Sequence, residues 1–163
     1  MTERLAKALA SATDTRVCLI DDGILKDAPS VFREAFPGKK AVVVADTTTF
    51  GVAGCAVQDA LKAAGLAVAG PFVFDAAGLY AEMTYVDRLT AALQQHECVP
   101  VAVGSGTVND LTKLASHRCG RPYMCVGSAA SMDGYSAFGA SITFQGNKQT
   151  FTCPAPRAVL ADL

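Results

Sequence analysis

The chain has no run of cationic residues longer than Lys39-Lys40, and no apolar run approaching the roughly 18 residues that a membrane-spanning helix requires. The first absence removes the electrostatic footprint by which proteins hold nucleic acid or an anionic membrane surface, in keeping with a net charge of -1 and a pI near 6.1. The second excludes a membrane partner of the spanning kind. The first ten residues carry charges within a helical pattern and lack the apolar core of a secretion signal, so the expected compartment is the cytoplasm. There is no CxxC pair either. The six cysteines, Cys18, Cys55, Cys98, Cys119, Cys125 and Cys153, are irregularly spaced and read as small buried apolar residues rather than a disulfide framework or a metal site. His96 and His117 form no HxxxH pair and sit near the ends of predicted helices, where a solvated or dipole-complementing role fits better than metal ligation. The residues therefore offer no metal site of the chain's own.

No internal repeat or compositional break divides the 163 residues, 51% of which are hydrophobic, so a single domain over residues 1–163 with one good-sized core is expected. Two apolar patterns alternate along it. Short β-branched runs at Arg16 to Ile20, Ala41 to Ala45, Leu66 to Phe74, Val99 to Val103 and Tyr123 to Val126 read as strands. Between them lie helical stripes: Ala28, Val31, Phe32, Ala35 and Phe36, stopped by Pro37-Gly38; an Ala-rich stretch from Phe50 to Ala64, ended by Gly65; Leu79, Met83, Val86, Leu89 or Thr90, and Leu93; and Val108, Leu111, Leu114 and Ala115. Such alternation predicts an α/β fold, an open and mostly parallel Rossmann-like sheet with helices on both faces. After Ala137 the pattern changes to GASITFQGNKQTFTCP, which predicts a C-terminal β-hairpin joined by Gly146-Asn147, and Ala158 to Leu160 gives a last strand. An appended hairpin of this kind is commonly a ligand cover or a subunit contact, so a homo-oligomer fits the pattern.

The most informative stretch is Val99 to Asp110, VPVAVGSGTVND, in which an apolar strand runs into Gly104-Ser105-Gly106-Thr107 and then into a helix. Two glycines let the backbone turn sharply and come close to a ligand, while the helix presents unpaired N–H groups and its positive dipole end. That is an anion site at a strand-helix junction, suited to a diphosphate. A tight turn without a ligand is the alternative. Asn109 and Thr107 are neutral donors suited to lining an anion or nicotinamide site, whereas Asp110 would oppose a diphosphate and is expected to point away from it in a structural role.

Asp46 closes the strand AVVVAD. An acid at a strand end can accept hydrogen bonds from both hydroxyls of an adenosine ribose, and, followed by Thr47 to Thr49, it can equally be a helix N-cap. It stands before the glycine turn, whereas the ordinary Rossmann fingerprint places the acid about 20 residues after the glycines. The next strand, PYMCVG, runs into SAASMDGYSAFG, where Ser128, Ser131 and Asp133 can hold an alcohol or an amide, or form a turn around the Asp-Gly pair. Two such strand ends side by side make a crevice at the carboxyl edge of the sheet.

VAVGSGTVNDLTK, SAASMDGY and the upstream VVVAD resemble the N-terminal domain of the sn-glycerol-1-phosphate dehydrogenases, a branch of the group that holds the iron-containing alcohol dehydrogenases, glycerol dehydrogenases and 3-dehydroquinate synthases. The resemblance runs over essentially the whole chain and is strongest from Val101 to Leu163. It implies that Gly104, Ser105, Gly106 and Thr107 hold the diphosphate of NAD or NADP, that Asp46 contacts the adenosine ribose, that Ser128 and Ser131 lie along the cofactor, and that Asp133 is the catalytic residue, facing the nicotinamide and the substrate hydroxyl. It implies a small phosphorylated polyol or ketone as substrate, with hydride passing between NAD(P)H and dihydroxyacetone phosphate. A polyol dehydrogenase, a dehydroquinate-synthase relative and a non-catalytic nucleotide-binding module are the alternatives.

This chain departs from the family pattern at two points: Gly127-Ser128 stands where the family usually has Pro-Thr, and Ala137 stands where a serine is common, with Ser136 beside it. The family's second, helical domain supplies the Asp and two His that bind a divalent metal, zinc or nickel in this branch, and His96 and His117 do not match them. The resemblance therefore implies the cofactor half of a two-domain enzyme, inactive as an isolated chain.

Overall fold

A computed structural model describes residues 3–127 and 134–162. Helix α1 (Glu3–Ser11) precedes strand β1 (Val17–Asp21), and a 3-10 turn (Leu25–Asp27) leads into α2 (Ala28–Ala35). Phe36 leaves helical geometry and Gly38 takes φ +74°, so the Pro-Gly stop acts where expected. Strand β2 (Ala41–Asp46) enters a helical stretch composed of α3 (Thr47–Thr49), a π-helical turn (Phe50–Gly54) and α4 (Cys55–Ala63), and Gly65 at φ +69° closes it. Then follow β3 (Phe72–Phe74), α5 (Met83–Leu93), β4 (Val99–Gly104), α6 (Gly106–Arg118), β5 (Met124–Gly127), a 3-10 turn (Gly134–Ser136), β6 (Ala140–Phe144), β7 (Asn147–Phe151) and β8 (Ala158–Asp162).

Six strands form one sheet in the order β1-β8-β5-β4-β2-β3, every pair parallel. Successive side chains of a strand face opposite sides, and the sheet uses both. Val43, Val101, Val103, Val126 and Leu160 pack with Phe32, Val57 and Leu61 of α2 and α4, whereas Val42, Val44, Ala102 and Cys125 pack with Val86, Leu89, Leu111 and Ala115 of α5 and α6. Two buried faces explain why the central strands are apolar without alternation. Among the described residues no helix is long and apolar enough to cross a membrane.

Three elements differ from the sequence expectation. The run from Leu66 to Phe74 yields strand pairing only at Phe72–Phe74 and one isolated bridge from Ala67 to Ala41, because Gly70-Pro71 interrupts it and proline has no N–H to give a ladder. Leu79 lies outside α5, which starts at Met83 after Glu82 caps it by accepting from the Thr84 N–H at 2.9 Å. The hairpin turn is Gln145-Gly146, one residue earlier than expected, with Phe144 paired to Asn147. Gln145 and Gly146 have φ of +51° and +77°. Positive φ at both central residues is the turn that matches strand twist, and Asn serves the first position far better than Gln. Gln145→Asn is accordingly expected to stabilise the fold by about 0.5 kcal/mol, read as a higher midpoint in urea denaturation with unchanged slope.

Candidate functional site

The parallel sheet puts every strand's carboxyl end on one edge. From β2 the chain moves outward to β3, and from β4 it moves to β5 on the other side, so the connections diverge between β2 and β4. A crevice opens at such a switch of direction, and Asp46 and Gly104 are the residues that end those two strands.

Asp46 is 6% exposed and has extended backbone geometry. Its Oδ1 accepts from the Thr49 N–H at 2.7 Å, and the Asp46 N–H donates to Thr49 Oγ1 at 3.1 Å. This reciprocal pair is a capping box, and it explains why three threonines, weak helix formers, begin a helix here. The N-cap role is thus occupied, by one carboxylate oxygen; Oδ2 takes no hydrogen bond from the described residues.

The same Thr49 fixes the end of β4. Gly104 has φ +143°, and a Cβ built there would lie 2.6 Å from Thr49 Oγ1. No residue other than glycine fits, on conformation and on space alike. Ser105 is the N-cap of α6, extended at φ -73° and ψ 172°, and its hydroxyl makes no capping bond. The first helical bond runs from the Asn109 N–H to the Ser105 carbonyl at 3.0 Å, which leaves the leading N–H groups uncapped by that side chain. Gly106 is buried, and Ser105 and Thr107 are half-buried.

Asn109 lies on the buried side of α6. It is 1% exposed, and its Oδ1 accepts from the Tyr123 hydroxyl at 2.9 Å. Three residues beyond Gly106 on the helix, its side chain holds the tyrosine through Oδ1, and its buried Nδ2 has no hydrogen-bond partner among the described residues. Asp110 behaves as expected of a structural acid: Oδ2 accepts from the Ser141 N–H at 3.2 Å, and Oδ1 lies 3.6 Å from Lys113 Nζ. Burial pushes its carboxyl above the usual carboxylate range, opposed in part by the Lys113 charge. Ser128, Ser131 and Asp133 lie outside the described residues.

Two residues that the sequence reading passed over tie the site together. The Tyr135 hydroxyl donates to the Gly104 carbonyl at 3.1 Å, and its ring lies against Gly127, where a Cβ would stand 3.3 Å from the ring. Lys113 is 1% exposed, and its ammonium donates to the carbonyls of Ala137 and Gly139 at 2.8 and 2.9 Å. Its place between Leu111 and Leu114 of the buried stripe was the available signal, since a charge there needs partners. Lys113, Asp110 and Tyr135 thereby bind the segment from 135 to 141 to α6 and to the end of β4.

Of the cysteines, Cys98, Cys125 and Cys153 are buried and Cys55 is exposed on α4, against the expectation of burial; all six are free. Full burial pushes the Cys125 thiol up to about 12, so it stays protonated and unreactive. His96 Nδ1 accepts from the Cys98 N–H at 3.2 Å, and desolvation, with Arg121 nearby, lowers its pKa. His117 lies exposed in the last turn of α6. Among the described residues, no three His, Cys, Asp or Glu side chains come together as a metal would require.

Removing the buried ammonium while keeping its volume should strand two carbonyls and the Asp110 carboxylate. Lys113→Met is expected to cost about 3 kcal/mol, measured by urea denaturation, with hydrogen exchange at Ser141 accelerating more than exchange in β1.

Comparison with known proteins gives a consistent neighbourhood. The sequence model of the family described as iron-containing alcohol dehydrogenase matches residues 19–163. A glycerol-1-phosphate dehydrogenase [NAD(P)+] of Halalkalibacterium halodurans is 37% identical over 123 residues, covering 74% of this chain and 31% of the relative. One from Methanosarcina mazei is 34% identical over 148 residues, covering 90% of this chain and 40% of the relative. The chain thus spans between about a third and two fifths of the length of these curated relatives. Among solved structures, glycerol dehydrogenase from Schizosaccharomyces pombe superposes with a TM-score of 0.76 at 19% identity, over 92% of this chain and 38% of that one. Sulfoacetaldehyde reductase from Bifidobacterium kashiwanohense, solved with NAD+, gives 0.74 at 18% identity, over 93% and 45%. These two likenesses establish the shared fold.

Proposed function

We propose that this chain, which belongs to the iron-containing alcohol dehydrogenase family, is the cofactor-binding part of an NAD(P)-dependent oxidoreductase of the glycerol-1-phosphate type. The observation that carries the proposal is the β2–β4 junction: an acid with one spare oxygen and a glycine turn feeding an uncapped helix face the same crevice. The dinucleotide fits that cradle. The leading N–H groups of α6 offer the diphosphate donors that no side chain of the cap has taken, and Gly104 is held to glycine by Thr49, whose Oγ1 stands 2.6 Å from where a Cβ would lie. Gly104, Ser105, Gly106 and Thr107 are assigned to the diphosphate, and Asp46 Oδ2 to the ribose hydroxyls. Ser128, Ser131 and Asp133 retain the roles implied by the motif SAASMDG, along the cofactor and at the substrate hydroxyl. Asn109 supports the turn from inside through Tyr123.

The substrate class is a small phosphorylated ketone or polyol: the curated relatives are named for glycerol 1-phosphate, and the resemblance of the motifs adds dihydroxyacetone phosphate as its ketone partner; the compartment is the cytoplasm. The bound cofactor supplies the hydride; the residues of this chain hold and orient it. A divalent metal does not fit the described residues, which bring no three ligands together, so no step of the chemistry is routed through one here. For the same reason the 163-residue chain on its own is expected to bind cofactor without turnover.

NADH bound by this chain should enhance its fluorescence saturably, and Gly106→Val should weaken that binding at least tenfold by keeping the backbone from the diphosphate. Equal affinity in a variant whose circular dichroism is unchanged would remove the diphosphate from this turn. Asp46→Ser keeps a capping hydroxyl while removing the charge that repels a 2′-phosphate. The ratio of NAD to NADP affinity, read by calorimetry, should move toward NADP; an unmoved ratio would leave Asp46 as a helix cap alone.

A further inference from the structure

The opposite edge of the sheet, where the strands begin, carries a cavity of about 370 Å³ lined in part by Asp14, Arg16, His117, Arg121, Tyr123 and Arg157. An adjoining hollow shares Arg121 and Arg157 and adds Lys39. The backbone forces the two arginines together. Arg16 enters β1 and Arg157 enters β8, neighbouring strands, and the Arg16 N–H donates to the Arg157 carbonyl at 2.8 Å. The Arg157 N–H in turn donates to the Tyr123 carbonyl at 3.0 Å, which ties the pair to the start of β5.

The cations around this cavity differ in what they already hold. Arg121 is engaged: it donates to the carbonyls of Leu93 and Cys98 at 2.8 and 3.3 Å and lies 3.7 Å from Glu97. Lys113, whose stem also lines the cavity, spends its ammonium on Ala137 and Gly139. Arg16 and Arg157 are exposed, and among the described residues neither has an ion-pair partner. Asp14 is the acid of the lining, and its Oδ2 is occupied by the Ala155 N–H at 3.1 Å. The carbonyl end of α6 adds some negative potential there; Arg118 of its last turn is paired with Asp87 at 2.6 Å, away from the cavity lining. Arg16 and Arg157 start neighbouring strands and reach the same cavity, neither in an ion pair among the described residues; two like charges brought to one cavity repel each other, and their forked donors match the oxygens of a phosphate.

We propose that this amino-edge cavity is a second anion site, separate from the glycine turn, that takes a phosphate group between Arg16 and Arg157 with His117 at its wall. The cavity is wide enough for a small phosphate monoester as well as for the free ion. The backbone that carries both arginines is fixed by the hydrogen bonds of the strand entries before any ligand arrives.

The test is an amide NMR titration of the chain with inorganic phosphate, with chloride at matched ionic strength as reference and ethyl phosphate as a second arm. Saturable shifts at residues 16, 117 and 157 that chloride does not produce are expected. R16S/R157S should weaken phosphate binding there at least tenfold while leaving any response at residues 104–107 in place. Tighter binding of ethyl phosphate than of the free ion would identify a monoester site, and the reverse order a site for the ion itself; either supports the proposal. Shifts confined to residues 104–107, shifts that chloride reproduces, or equal affinity in the double variant would overturn it. The melting temperature of the double variant without phosphate separates a ligand site from a structural pair. It should be unchanged or higher once the repulsion is removed, and a fall with no loss of phosphate response would also overturn the assignment.

Discussion

The contact between Thr49 and Gly104 governs the carboxyl edge of this protein. One hydroxyl accepts the N–H that ends β2 while occupying the space in which a side chain at the end of β4 would stand. The two strands on either side of the crevice are therefore set relative to each other through a single threonine. Everything that a ligand in the crevice would touch on this side, the Asp46 carboxylate and the turn that opens α6, is positioned from that point.

A second layer of constraint comes from α6. Its leading end borders the crevice, and its buried side holds Asn109 against Tyr123 and Lys113 against two carbonyls of the following segment. A buried ammonium is costly unless its hydrogen bonds are met, so the helix and the segment from 137 to 139 keep their relation or lose stability together. Tyr135 repeats the connection on the other side by bonding to Gly104. The crevice is thus framed by polar ties between elements that the hydrophobic core alone would leave free to slide.

The parallel sheet and its two layers of helices were legible in the sequence because strands buried on both faces are apolar throughout and helices with one buried stripe are periodic. The glycine turn and Asp46 were legible because backbone conformation and strand ends restrict residue type. What escaped were features that depend on neighbours far apart in the chain. Nothing in VNDLTK says that Lys113 reaches Ala137, or that Asn109 turns inward to Tyr123, since a helix offers both inward and outward positions at that spacing. Leu79 fitted the stripe of α5 by spacing, yet Glu82 supplied the better cap and the helix began there. The hairpin turn slipped by one residue because Asn and Gly are favoured at turn positions in either order, and register was decided by the pairing of Ala140 with Phe151.

The π-helical turn at Phe50–Gly54 has its own consequence. An α-helix rotates by about 100° per residue, and a π turn accommodates an extra residue within one turn. Thr49 ahead of it faces β4, and Val57 and Leu61 behind it face the core against α2. In an uninterrupted α-helix those two orientations would be locked to one another. The wider turn offsets the phase between them by its extra residue, so one continuous helical stretch sets Thr49 against the end of β4 and still turns Val57 and Leu61 into the core.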